Sequence, residues 1–504
     1  MATEWLPSDS GVRLTLRDSP SALQHRDFND KLLDSQSIRK MDPNPKPDPQ
    51  DHGKPAGEGG GNSKSSDDAP IIDEDATFRN AAYFGNEEGS KDKDGGSQKN
   101  LFRYTRLVVH IVAYFRHASV LPPISPSLRP IDITVVIATR GDEIANLVSG
   151  LESHVNAGCR HISICVPSTR LGRVQAEADL FISKQKDLKV YVSHVAQAGK
   201  REQLKWAIDS IPDSRRKAHK VIVFADDDIT FPHSTYGWVL APFENPQVGG
   251  VGTCQRASRI KAGTIIQRII NWIFADYIER RGVENMATVA IEKSISCLSG
   301  RLAAFRAVIV QDRQFLDGLV SETWNGLKLR ADDDNFWTRW LLEGGWEIAV
   351  QNDERCRVET TFGTTASELR RFVRWQRSNP RSNAKSLRRI SNWKYHLARA
   401  WDLLTTRNRK FPWAIYALYL SGFVNYGLPM DIALWSLCWK ATADSPSQDT
   451  LRLGFVSWWL FIKTVKRIRL FRRDVRDVLF LPVCILWGYC HDFIKLYALM
   501  TRYE

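Results

Sequence analysis

From Ile131 onward the chain alternates between short apolar runs and amphipathic stretches, and this alternation limits the available folds most sharply. ITVVIA (133–138), HISICVP (161–167), LKVYVSHV (188–195) and VIVFA (221–225) are largely continuous in apolar residues. Such runs, bounded by turn signals, read as strands covered on both faces, as in a parallel sheet. DEIANLVSGLESHVNAG and KREQLKWAIDSI lie between them and supply crossover helices. The expected class is α/β, with a doubly wound, mostly parallel sheet. The pattern runs to about residue 360, with SISCLSGRLAAFR and WEIAVQ as later strand candidates.

Ligands of open α/β sheets sit beyond the carboxyl ends of the strands. There the fourth run passes into three aspartates, VIVFADDDITFP. An acidic triplet can be a solvated turn. In extended backbone, however, Asp226 and Asp228 point to one side and offer hard oxygen ligands for Mg²⁺ or Mn²⁺ carrying a diphosphate. The first run ends in ATRGDE, which brings Thr139, Asp142 and Glu143 to the same edge. QAGKREQL places Lys200 and Arg201 at a helix start, a position that suits anionic groups, although many such triplets are solvated turns. A second triplet, Asp332 to Asp334, opens the helical stretch DDDNFWTRWL, where helix capping is the ordinary alternative. SELRRFVRWQRSN comes next as a basic, Trp-bearing helix; residues 366–394 hold nine basic residues and one acid.

Residues 1–98, rich in Pro, Gly, Ser and charge, read as a disordered arm. Residues 99–125 carry LFRYTRLVVHIVAYFRHASVL, too charged for a good span. It reads either as an interfacial helix or as a helix packed on the next domain. A catalytic domain over 130–365 is followed by basic interfacial helices over 366–410. Residues 411–504 read as about three transmembrane helices (411–439, 451–465 and 478–500). The loop 463–478 has seven Lys or Arg against two Asp, which marks it as cytoplasmic and places the α/β domain in the cytosol. A net charge of +13 is compatible with an anionic partner or membrane, but no zinc-finger or RNP pattern points to nucleic acid. The eight cysteines show no CxxC pair and read as reduced thiols. The N-terminus lacks the apolar core of a cleavable signal peptide.

In this order, the motifs resemble those of the processive family 2 glycosyltransferases (hyaluronan, chitin and cellulose synthases), and most of all fungal hyaluronan-synthase-like or capsule-synthase-like polysaccharide synthases. The DxD is Asp226-Asp227-Asp228, and (Q/R)xxRW is Arg371-Phe372-Val373-Arg374-Trp375. The resemblance covers roughly 130–500 and implies a GT-A fold. Aligned on Thr338, it makes Asp333-Asp334 the acidic pair, with Asp334 as general base. It puts Thr139, Asp142, Glu143, Lys200, Arg201, Asp226, Arg371 and Arg374 around the donor. Ser299, Gly300 and Trp375 fall at the acceptor. Ser168 and Thr169 stand where many relatives have an aspartate for the uracil.

The resemblance implies an enzyme of the plasma membrane that extends a cell-wall or extracellular polysaccharide from a nucleotide sugar, most readily a UDP-sugar, in one inverting displacement. Its partners are the donor, the growing glycan and the lipid bilayer, with no nucleic acid. The alternatives are single-sugar transfer to a lipid or other membrane acceptor, and an inactive membrane scaffold. Sugar, linkage and oligomeric state stay open.

Overall fold

Strand residues that alternate between two apolar layers organise the structure. In this computed structural model, which describes residues 95–390, 412–421 and 426–501, seven strands form the central sheet. They are β1 (Ile133–Ala138), β2 (His161–Pro167), β3 (Lys189–Val195), β4 (Val221–Ala225), β5 (Val248–Thr253), β6 (Leu302–Arg306) and β7 (Glu347–Gln351). Their order is β7-β5-β6-β4-β1-β2-β3. β6 alone runs antiparallel to both its neighbours; the remaining pairings are parallel. Val135, Ile137 and Val223 face one buried cluster with Leu147 and Leu151. Val136, Ile222 and Phe224 face the other, with Leu204 and Trp337. Runs covered on both faces therefore need no polar alternation.

β5 is the strand that sequence periodicity misses. VGGVGT has too few apolar side chains to register as a strand, yet it is buried throughout. A Cβ on Gly250 would lie 2.5 Å from Leu341 Cδ1, so packing helices fill the space a side chain would take. The later candidates are β6 and β7, with SISCLSG forming loop rather than strand. A small sheet built from Ile229–Thr230, Val358–Thr360 and Gln255–Ala257 lies just beyond the aspartates.

Helix α1 (Gly95–Arg116) packs on α2 (Ile265–Glu292). Arg106 donates to Ala417 O at 3.0 Å and to Ser421 Oγ at 2.7 Å, so the helix is also tied to the 412–421 segment. The 1–98 arm lies outside the described residues up to residue 94, and so does 391–410 of the basic region.

Among the described residues, only Val475–Met500 is long and apolar enough to cross a membrane. Within 411–439 the described residues give Pro412–Ala414, a π-helix, Ile415–Leu420, and, after the extended Tyr426, α3 (Gly427–Ala441). Pro429 lacks a backbone N–H and suits a helix start rather than a helix interior. Asp492 caps that start, accepting from the amides of Gly427 at 2.5 Å and Leu428 at 2.9 Å. The 451–465 candidate, all but its last residue, lies within α4 (Gln448–Thr464), whose Lys463 pairs with Asp431 of α3.

Candidate active site

The carboxyl ends of β1 and β4 open onto a cleft of about 610 Å³. Asp226 and Asp228 line it and Asp227 does not; the strand ends at Ala225 and the chain turns at Asp227 and Asp228, so a turn and not the expected extended backbone places the two carboxylates. The Asp227 carboxylate accepts from Thr139 Oγ1, and Gly141 N donates to that same oxygen at 2.9 Å. Gln203 ties the neighbouring strand ends together, donating to Thr139 O at 2.7 Å and Cys165 O at 2.8 Å. Thr139 is thus a cleft residue whose hydroxyl holds the middle aspartate.

Burial, with Asp226 and Asp227 beside it, pushes the Asp228 carboxyl up to about 7, against the pull of Arg301 and Arg371. Burial also raises Asp227. Crowded carboxylates with raised affinity for protons suit a bound cation. Among the described residues, no three His, Cys, Asp or Glu surround one point. Asp226 and Asp228 can therefore supply part of a coordination shell, which fits Mg²⁺ or Mn²⁺, ions that keep waters and substrate phosphates as ligands.

Lys200 joins the two aspartate triplets. Its Nζ lies 2.7 Å from Asp226 Oδ1 and 3.3 Å from Asp333 Oδ2. Burial opposes its charge, but Asp226 and Asp333 outweigh that and hold its pKa above the usual lysine value. Gly300 makes room for it, since a Cβ there would come within 3.0 Å of Nζ. Asp333 is only 6% exposed. Asp334 is half-buried, lines the cleft, and accepts from Asn335 N at 2.9 Å. The Cys297 thiol is pushed well up by burial and by the Asp334 carboxylate to which it hydrogen-bonds. The loop before β6 is fixed to the same helix, α5 (Asp333–Glu343). There Leu298 N donates to Thr338 Oγ1 and Trp337 Nε1 to Leu298 O, both at 2.8 Å. Ser299 and Gly300 therefore face the cleft beside the acidic pair.

Three expected donor residues lie elsewhere. Arg201 is fully buried and absent from the cleft wall. It donates to Ala331 O, Leu319 O and Asp332 O at 2.7, 3.0 and 2.9 Å and pairs with Glu322 at 2.9 Å. Successive helical residues point about 100° apart, so Lys200 can face the cleft while Arg201 faces the core. Asp142 sits outside the cleft, paired with Arg140 at 3.3 Å and Arg170 at 3.0 Å. Glu143 precedes the helix Ile144–Asn156 and accepts from Asn146, again away from the cleft lining.

The basic helix α6 (Arg370–Ile390) closes the cleft. Arg371 pairs with Glu368 at 2.6 Å, and the exposed Arg374 faces the cavity. Trp375 stacks on Tyr277 with centroids 5.2 Å apart and planes 15° from parallel. Ser378 of the same helix hydrogen-bonds the Asp332 carboxylate, which docks α6 against the second triplet. Tyr277, Arg281 and Arg301 also line the cleft. Arg301 stands in CLSGRLAAFR (297–306), which the resemblance places near the acceptor, whereas Tyr277 and Arg281 were not expected from sequence. These two stand in ADYIERRG on a long helix without a motif, and only tertiary packing turns them inward.

The profile described as "Glycosyltransferase like family 2" matches residues 130–378. A "Type 2 glycosyltransferase" of Pyricularia oryzae is 35% identical over 404 residues, covering 80% of this chain and 78% of the relative. One of Gibberella zeae is 36% identical over 405 residues, covering 79% and 72%. The solved mannosyltransferase PcManGT from Pyrobaculum calidifontis, in complex with GDP-Man and Mn²⁺, is 16% identical. It covers 70% of this chain and 94% of its own, with a TM-score of 0.41. With its mixed, mostly parallel sheet and its carboxylate-lined cleft, the chain belongs to the family 2 glycosyltransferases and is a glycosyl-transferring enzyme.

Proposed function

We propose that this enzyme takes a UDP-sugar and transfers the sugar, with inversion, to the hydroxyl of a growing glycan at a membrane face. The observation that carries the reading is the convergence of Asp226 and Asp228 with Asp333 and Asp334 on one cleft, with Lys200 between them. Asp334, half-buried and facing the cavity, takes the proton of the acceptor hydroxyl as its oxygen bonds the anomeric carbon. The bond from that carbon to the diphosphate breaks, and the electron pair leaves with the nucleotide. Lys200, Arg371 and Arg374 offer positive charge to the leaving group. A divalent ion held by Asp226 and Asp228 would neutralise the diphosphate. The stacked Trp375 and Tyr277 present a flat apolar wall suited to a sugar face.

Val475–Met500 is read as a membrane span, with the basic stretch 463–478 and the catalytic cleft on the cytosolic side of the plasma membrane. Membranes containing the chain, supplied with a panel of UDP-sugars, test the reading. Nucleotide release with a product ladder in mass analysis supports it. Release from a GDP-sugar alone overturns the donor assignment, and one sugar per acceptor overturns elongation.

A further inference from the structure

Two cysteines far apart in sequence meet beside the cleft wall. Cys254 follows β5, and Cys356 ends the short turn of helix Glu354–Cys356. Both sulfurs lie near one carbonyl oxygen, Asp353 O, at 3.6 Å from Cys254 Sγ and 3.4 Å from Cys356 Sγ. The two thiols also hydrogen-bond each other. Backbone pairing holds them in place. Cys254 N donates to Gln351 O at 2.8 Å, Val358 N donates to Cys254 O at 3.1 Å, and Gln255–Ala257 runs parallel to Val358–Thr360. Both side chains are buried, with 4% and 0% exposure. Among the described residues no third Cys, His, Asp or Glu completes a metal site with them, so the place offers two thiols in contact.

The surroundings divide the pair. The hydrogen bond from Cys356 holds the Cys254 thiol below its usual range, against burial, and the Arg469 guanidinium adds to the pull. The same hydrogen bond, with burial, pushes the Cys356 thiol up. Cys254 therefore carries the thiolate character that attack requires, and Cys356 keeps its proton. Cys254 also lines a cavity of about 40 Å³ that shares Arg281, Ser299 and Arg301 with the catalytic cleft. A space of that size holds a water-sized molecule and excludes a tripeptide.

We propose that Cys254 and Cys356 form a dithiol that hydrogen peroxide, entering through this cavity, converts to a disulfide. The Cys254 sulfur bonds one peroxide oxygen, the O–O bond breaks, and the other oxygen leaves as water with the proton lost from Cys254. A sulfenic acid remains on Cys254. The Cys356 sulfur displaces its hydroxyl, which leaves as a second water with the Cys356 proton. The two thiols are oxidised by two electrons, and peroxide is reduced to water. The bond joins two parallel strands of the small sheet where they begin. That sheet includes Ile229–Thr230, directly after Asp228, and Gln255 accepts from Arg301 of the cleft wall at 3.0 Å. Oxidation thus staples the strands on which one side of the cleft rests.

The test exposes the full chain, purified in detergent with its thiols reduced, to hydrogen peroxide, then blocks free thiols and maps the peptides by mass. A peptide linking Cys254 to Cys356 should appear, with Tm higher by about 2 °C or more because the bond closes a long loop. Dithiothreitol should reverse both. Glutathione disulfide at the same concentration should form the bond at least about tenfold more slowly, since it does not fit the cavity. In Cys356→Ser, Cys254 should stop at the sulfenic acid and take the label dimedone, and in Cys254→Ser, Cys356 should stay reduced. Oxidation confined to other cysteines, such as the exposed Cys490, overturns the site. Dimedone on Cys356 in Cys254→Ser overturns the order of attack. Equal rates with the two oxidants overturn the cavity route, and an unchanged Tm overturns the staple. If a serine variant fails to fold, the peptide map of the unaltered chain still decides.

Discussion

Arg201 donates to the main-chain oxygen of Asp332 at 2.9 Å, across 131 residues of sequence. Asp332 has φ of 64°, a left-handed conformation in which an aspartate costs energy unless its surroundings hold it. The guanidinium also holds Ala331 O, so one buried fork sets the turn that delivers Asp333 and Asp334 to the cleft.

Replacing Arg201 should therefore damage the fold before the chemistry. Arg201→Met leaves Glu322 facing only Arg339 and Lys385. Breaking a buried pair from one side costs about 3–5 kcal/mol. Thermal unfolding of the purified protein measures this, and Arg201→Lys, which keeps the charge without the fork, should recover only part of the loss. A variant of unchanged Tm and lowered donor affinity would return Arg201 to the donor site.

Asp228→Asn should lower turnover by about 10²-fold or more with protein abundance unchanged, because it removes charge at the diphosphate rather than core volume. The rate as a function of Mg²⁺ or Mn²⁺ concentration checks it. An unaltered metal response with unaltered rate removes Asp228 from the ion.

The acidic pair divides by environment. Asp334→Asn should keep donor affinity and lose transfer by about 10²- to 10⁴-fold, the range for a missing general base. Asp333→Asn releases Lys200 and should also weaken the donor, since the ammonium then loses one of its two carboxylates. UDP binding and single-turnover transfer on both variants separate the roles. An active Asp334→Asn beside a dead Asp333→Asn that still binds the donor would move the base by one residue.

Trp375→Ala should shorten products more than it slows the first transfer, because the stacked pair with Tyr277 would lose the face that holds a glycan between additions. Trp375→Phe should retain intermediate length. Product length and UDP release on matched amounts of protein decide the matter, and equal loss of both would reduce Trp375 to a packing residue.

Stability should fall with acid through His154. Burial lowers its pKa from 6.5 to about 3, and its Nδ1 meets the Tyr236 hydroxyl at 2.5 Å. The unfolded chain takes up a proton below about 6.5 and the folded one does not, so the neutral ring's contribution is complete above that pH and declines as pH falls toward 3. At pH 5 the loss is about 2 kcal/mol, at roughly 1.4 kcal/mol per pH unit. Comparing Tm at pH 7 and pH 5 for the native chain and His154→Gln checks it; equal slopes would exclude this histidine as the source.

Several features were legible in the sequence because their causes are local. VIVFA must be buried on both faces, so the strand, and the position of the aspartates at its carboxyl end, derive from neighbouring residues alone. The basic charge before 478 and the apolar run after it are equally local. Other features depended on side chains distant in sequence. Leu341 fills the place of a Cβ on Gly250, which hides β5 from any periodicity. Lys200 and Arg201 are adjacent in sequence, yet one bridges two aspartate triplets and the other is buried beneath the second, because helix geometry separates their directions and packing selects the faces. Tyr277 and Arg281 join the cleft only because α6 lies against α2. The sequence thus determined where along the chain the two aspartate triplets stand, and the tertiary structure decided which other groups meet them, since contact across a cleft depends on how distant elements pack and not on spacing along the chain.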